Sequence, residues 1–208
     1  MADTDLVENI NGCCLEYYAD EHMYLVDGVQ LPSITQVVRT RFKTKYSHVS
    51  RAVLNRAAQR GTAVHEAIEN YCIAERAGET VEDDCTELRN FKFLKKKFGF
   101  EVIENEVPII LFKDDVPVCA GRLDLVLKEG DKLGLGDIKR TSTLDKNYLG
   151  YQLNLYRIAY QQCYGKEIEF LRGLHLREVV RKYVNIPVNE PIAWDLVNEF
   201  LGGQSYVR

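Results

Sequence analysis

Asp124, Asp137 and Lys139 fall within one short stretch, Arg122 to Lys139 (RLDLVLKEGDKLGLGDIK), and residues of these types could hold a metal ion beside an attacking water. The stretch reads as two alternating strands around Gly130-Asp131, a dipeptide suited to a tight two-residue hairpin loop. Such a loop sets Asp124 against Asp137 and Arg122 against Lys139, with all four side chains on one face. Two carboxylates would then face each other with β-carbons about 4.5–5.5 Å apart, which is unfavourable without a cation between them. A divalent metal would supply that cation, and Lys139 lies two residues further along the same face. The same four residues also permit a diagonal salt-bridge lattice on a solvent face, Asp124 with Lys139 and Arg122 with Asp137.

The elements around this hairpin must position it. Residues 50–76 have the clearest helical pattern: Leu54, Ala58, Gly61, His65, Ile68 and Cys72 recur at three- and four-residue spacing on one stripe. Gly61 lies one turn before His65, and a glycine inside a helix costs about 1 kcal/mol relative to alanine. Its presence suggests close packing against the helix backbone there. His65 sits on the inward stripe, where a histidine can be a satisfied core residue or a ligand. A second helix, from about 145 to 163 and closed by Gly165, carries Gln152 and Tyr156 one turn apart on an otherwise apolar face. Ahead of the hairpin, Val102–Phe112 and Val116–Lys128 flank a turn at Asp114-Asp115, which makes a three-stranded antiparallel meander. A two-residue loop at 114–115 sets Glu106 opposite Leu123, whereas a three-residue loop at 114–116 sets it opposite Asp124.

Other signals complete the outline. Residues 15–31 alternate weakly around Asp27-Gly28, Ser33 caps a helix from about 34 to 42, and a further helix spans about 84–98. Strands at about 167–176 and 180–187 precede a closing helix from Pro191 to Leu201. The coarse order αα, βββ, α, ββ, α gives an α/β chain of the α+β type, a mixed central sheet flanked by helices. At 208 residues, 1–208 fits one domain. The first residues lack the basic and apolar pattern of a signal peptide, and no apolar run could span a membrane. Six cysteines show no CxxC or zinc spacing, and Cys13-Cys14 reads as incidental, in keeping with a reducing cytoplasm. A net charge of −4 weighs against nucleic acid as a partner. Yet residues 39, 41, 43, 45, 51, 56 and 60 are all Lys or Arg with no acid between them, and a local field of that kind can bind phosphates.

Taken together, the motifs Gly61-Thr-Ala-Val-His65, Gly121-Arg-Leu-Asp124, Asp137-Ile-Lys139 and Gln152-Leu-Asn-Leu-Tyr156 occur in that order on helix, strand, strand and helix. In this the chain resembles the PD-(D/E)XK nuclease superfamily, in its RecB-like and phage exonuclease-like branch, over roughly residues 20–187. The resemblance implies a restriction-endonuclease-like core and hydrolysis of DNA phosphodiesters with Mg²⁺ or Mn²⁺ held by His65, Asp124, Asp137 and the main-chain carbonyl of Ile138. It gives Lys139 the task of orienting or deprotonating the attacking water, with its pKa lowered by metal and burial. Gln152 and Tyr156 would help to hold the strand, and Glu106 matches an acidic residue that many members carry on the first strand. Asp137 stands where much of the superfamily has Glu. Some relatives carry three cysteines after the QxxxY helix for an iron–sulfur cluster; only Cys163 follows Tyr156 here, so no cluster is expected. Arg39, Arg41, Lys43, Arg56 and Arg60 would line the DNA path. The function so implied is an exonuclease of phage, prophage or recombination-repair, cytoplasmic, bacterial or phage-encoded, acting with a recombination partner protein. The alternative is a DNA-binding protein that keeps the fold without the catalysis.

Overall fold

The structure, a computed structural model, describes residues 4–19, 21–42, 50–82 and 85–204. Among these residues the chain forms five helices and two sheets, one of them mixed. The N-terminal sheet is an antiparallel meander of β1 (Leu6–Ile10), β2 (Cys13–Tyr18), β3 (Met23–Val26) and β4 (Val29–Leu31). Two of its connections are two-residue loops whose residues all take positive φ: Asn11 and Gly12 at +52° and +81°, Asp27 and Gly28 at +51° and +76°. That is the geometry which matches the right-handed twist of the flanking strands. The turn expected at Asp27-Gly28 joins β3 to β4, whereas β1, which closes the sheet against β2, was not anticipated.

Three helices follow. Ser33 accepts from the Gln36 amide and Gln36 reaches back to the Ser33 amide, a capping box that starts α1 (Ile34–Arg41). Helix α2 spans Arg51–Ala77 and ends on Gly78 at φ +76°; α3 spans Thr86–Phe98 and ends on Gly99 at φ +69°. Next come β5 (Glu101–Lys113), β6 (Val116–Glu129) and β7 (Lys132–Lys139), the expected antiparallel meander. Helix α4 (Lys146–Tyr164), capped at its start by Asp145, carries the chain to β8 (Phe170–Arg177), which lies parallel to β7. A parallel pair requires such a crossover. Strand β9 (Val180–Ile186) and helix α5 (Glu190–Gln204) complete the order β5-β6-β7-β8-β9.

This five-stranded sheet is covered on both faces. On one side α1, α4 and α5 bury Ile34, Leu153, Tyr160 and Leu196 against Ile109, Leu123, Leu135 and Leu171. On the other, α2 and α3 bury Ile68, Leu88 and Phe91 against Leu125, Leu127, Ile138 and Leu174. The N-terminal sheet packs Leu15, Tyr24 and Val26 on Ile110 and Ala120. In the second half of β6 the alternation breaks: Leu123 and Val126 join the α4 side, Leu125 and Leu127 the α2 side. The break falls at Asp124.

Among the described residues no helix is long and apolar enough to cross a membrane.

Candidate metal centre

The site lies where β6 and β7 part company. Their ladder follows the register of a two-residue loop, with Glu129 against Lys132 and Leu125 against Gly136, and ends there. Gly130 at φ +61° supplies the positive first loop position. Beyond the ladder the Asp124 carboxylate takes over, its Oδ2 accepting from the Ile138 amide at 2.6 Å. Arg122 therefore does not face Lys139 as expected; it turns to Glu106 at 2.6 Å and lies over the Tyr17 ring. The diagonal lattice does not form either, because Lys139 pairs along its own strand with Asp137.

Glu106 reaches the site by a device the sequence did not display. Loop 114–115 has two residues, with Lys113 against Val116, yet a bulge between Phe112 and Leu111 leaves Val118 unpaired and advances the register by one. From there Val107 faces Leu123 and Asn105 faces Leu125, so Glu106 stands across from Asp124. Its backbone takes φ +50°, a conformation that costs energy for a residue with a β-carbon and that collects at functional sites.

Across these carboxylates lies His65, on the part of α2 where the helix begins to bury Val64, Ile68 and Cys72. Its Nδ1 is 3.5 Å from a Glu106 oxygen and 3.7 Å from Asp124 Oδ1, while Nε2 lies 3.2 Å from the Ile138 carbonyl. One ligand atom each from His65, Glu106 and Asp124 lie within 4.8 Å of one another. Ligand distances of about 2.0–2.2 Å to a small divalent ion fit a cluster of that size. The electrostatics agree. Burial pushes the Asp124 carboxyl up to about 7, with Asp137 and Glu106 adding to the rise and His65 opposing it. Burial lowers His65, but the Asp124 and Glu106 carboxylates overcome it and hold the imidazole at about 9. Burial likewise raises Glu106, and His65 and Arg122 outweigh it, so that its carboxyl sits below the usual range. A proton on His65 stands where a cation is wanted.

Two expected ligands make contacts of their own. Asp137, 0% exposed, accepts from Lys139 Nζ through Oδ1 at 2.8 Å; its Oδ2, 2.6 Å from the same Nζ, has no hydrogen-bond partner among the described residues, and Asp137 lies outside the converging triad. The Ile138 carbonyl faces His65 Nε2, so donation from Nε2 leaves Nδ1 to act as the ligand atom. At Lys139 burial lowers the pKa, but the Asp137 and Asp124 carboxylates more than compensate and raise it.

The triad opens into a cleft of about 930 Å³ between α2, α4 and the N-terminal sheet. Gln152 and Tyr156 line it from α4, with Gln152 Nε2 donating to the Tyr156 hydroxyl at 3.1 Å. Gln152 Oε1 is buried and has no partner among the described residues. Gly121 belongs beneath this pair, since a β-carbon there would meet Tyr156 at 3.4 Å and Ile34 at 3.5 Å. Gly61 has no such neighbour; a β-carbon would enter open space, and the close packing expected of it is absent because the residue borders the cleft.

Of the expected phosphate contacts, Arg39 lines the cleft and Arg41 does not, being tied to Glu199 and the Tyr151 hydroxyl on α5 and α4. Arg56 and Arg60 are also absent from its wall. Each is two positions from Ala58, which does line it, and two positions are more than half a turn of helix. Lys43 lies outside the described residues. Cleft residues the sequence reading passed over are Arg140, held by Glu87 at 2.6 Å and by Glu178, and the trio Tyr17, His22 and Tyr24. Tyr17 and Tyr24 stack at 4.7 Å, and His22 hydrogen-bonds the Tyr17 hydroxyl. Burial lowers the His22 pKa, aided by Arg39 and Arg122, which marks this wall as cationic. The alternation over 15–31 was the available signal, but it could not say that the sheet would close over the site.

No family model matches the chain, and no curated protein does. Among solved structures that match is "Crystal structure of SSO0001", at 18% identity and a TM-score of 0.47, over 84% of this chain and 76% of that one. A likeness of that degree carries no argument about function.

Proposed function

We propose that the chain is a divalent-metal-dependent nuclease that hydrolyses DNA phosphodiesters on a PD-(D/E)XK restriction-endonuclease-like core. The observation that carries this reading is the convergence of His65 Nδ1, Glu106 and Asp124 in an open cleft that Lys139 also lines. These three side chains would hold Mg²⁺ or Mn²⁺, the imidazole favouring manganese somewhat. The ion would neutralise phosphate charge and make a bound water more acidic.

The chain's own groups fill the other roles. Lys139 donates to Asp137 Oδ1, and its remaining N–H donors can orient the attacking water or a phosphate oxygen. Gln152 Oε1 offers an unused acceptor to a ligand in the cleft, and the Tyr156 hydroxyl, already accepting from Gln152, can donate. Arg39 and Arg122 would meet phosphates, Arg122 while oriented by Glu106. The motif order favours an exonuclease of phage or prophage recombination, working in a bacterial cytoplasm with a recombination partner.

Incubating the purified protein with linear single- and double-stranded DNA tests this. Degradation should require Mn²⁺ or Mg²⁺, stop with chelator, and be lost in Asp124→Asn and Lys139→Ala. DNA binding without degradation in either metal would overturn the reading in favour of a non-catalytic DNA-binding protein.

A further inference from the structure

Outside the cleft, α3 turns an exposed face outward that none of the site chemistry uses. Arg89, Phe93, Lys96 and Lys97 follow the spacing of one helical face, and all four are exposed. Two large apolar rings stand in water here, Phe93 at 41% and Phe98 at 47% exposure. Each carries a cation: the Arg181 guanidinium lies 3.7 Å above the Phe93 ring, and Lys97 Nζ is 5.4 Å from that of Phe98. Phe98 in turn packs on Tyr183 at 4.8 Å, which stacks on buried Phe100, so the outer ring is backed by a rigid column. Glu87, the helix's acid, is buried against Arg140, and Glu129 beneath Tyr183 is taken by Arg172. The face therefore combines unspent positive charge with aromatic surface.

We propose that this face is a track for single-stranded nucleic acid leading to or from the cleft. Phosphates would meet Arg89, Lys96 and Lys97 while bases stack on Phe98 and on the Arg181 guanidinium that Phe93 supports, the pairing of cations with aromatic platforms that binds single strands irrespective of sequence. Continuity with the cleft supports this occupant. Arg140 lines the cleft and pairs with Glu178 in the β8–β9 turn, three residues before the Arg181 that covers Phe93. The proposal rests on the reading of the cleft as a nuclease site.

The test is fluorescence anisotropy of labelled oligothymidylates of about 6 and about 20 nucleotides on the full chain in chelator, lengths that bracket the span of a cleft alone and of cleft plus track. Phe93→Ala/Phe98→Ala and Lys96→Ala/Lys97→Ala should each weaken the long oligonucleotide by about tenfold and leave the short one unchanged. The lysine pair should also lower the salt slope by about 1.4. Exposed positions make loss of fold a minor concern, and unchanged melting temperatures verify it. Long-oligonucleotide affinity equal to wild type in both variants would overturn the track. So would polyglutamate competing as well as DNA while the phenylalanine variant binds normally, which would make the face a dock for an acidic protein. If wild type cleaves DNA and the variants bind as wild type, the track alone fails; if the variants weaken binding but wild type never cleaves, the nuclease reading alone fails.

Discussion

Glu106 faces Asp124 across the sheet because Val118 is squeezed out of the β5–β6 ladder. The tight loop at 114–115 by itself would have matched Glu106 with Leu123, on the wrong face for the site. Glu106→Ala leaves the bulge in place and withdraws one of three ion ligands. Mn²⁺ affinity by calorimetry is then expected to drop by at least about tenfold, the lower end of what supporting changes cost at metal sites. A melting curve that stays cooperative would show that the loss is local.

Protons and metal compete for this site. His65 near 9 and Asp124 near 7 both lie above their unfolded values, so each stabilises the metal-free fold through its bound proton. That contribution is complete at low pH and is lost as pH rises through about 7 for Asp124 and about 9 for His65. The melting temperature in chelator should therefore fall between pH 7 and 9. Mn²⁺ affinity should rise over the same interval, since the ion displaces those protons. Saturating Mn²⁺ should flatten the fall in stability.

Lys139 has a structural duty as well as its proposed catalytic one. Lys139→Ala leaves Asp137, fully buried, without its cation, and removal of one member of a buried pair costs about 3–5 kcal/mol. Adding Asp137→Asn should return most of that stability in a denaturant titration. Activity should not return, because the ammonium donor is still missing.

Two glycines separate space for a ligand from space for packing. A β-carbon at Gly134 would sit 2.2 Å from the Phe170 ring, so Gly134→Ala should cost about 1–3 kcal/mol through overpacking. Gly61→Ala meets nothing and should stabilise α2 by up to about 1 kcal/mol. A loss of DNA degradation in that more stable variant would place the substrate within a methyl group of the helix.

Helix ends, tight turns and the start of the β6–β7 register were legible because each rests on local chemistry: Ser33 ahead of α1, Gly165 after α4, and Gly130-Asp131. The convergence of His65 with Asp124 was an expectation only through the resemblance that the four motifs carry. What escaped is non-local. A bulge at Val118 has no composition signal, so the position of Glu106 was open. Asp137 looked equivalent to Asp124, and strand alternation cannot foresee that Lys139, two residues on, would donate to its Oδ1. Arg41 and Arg56 belonged to a basic run, but a count of charges does not say which side of a helix meets the cleft.

The central claim, that His65, Glu106 and Asp124 seat one divalent ion, is tested most directly by anomalous scattering from crystals soaked in Mn²⁺. A peak is expected within about 2.3 Å of His65 Nδ1 and of one oxygen from each carboxylate, with Lys139 still on Asp137. A peak elsewhere, or none between these three side chains at millimolar Mn²⁺, would contradict it.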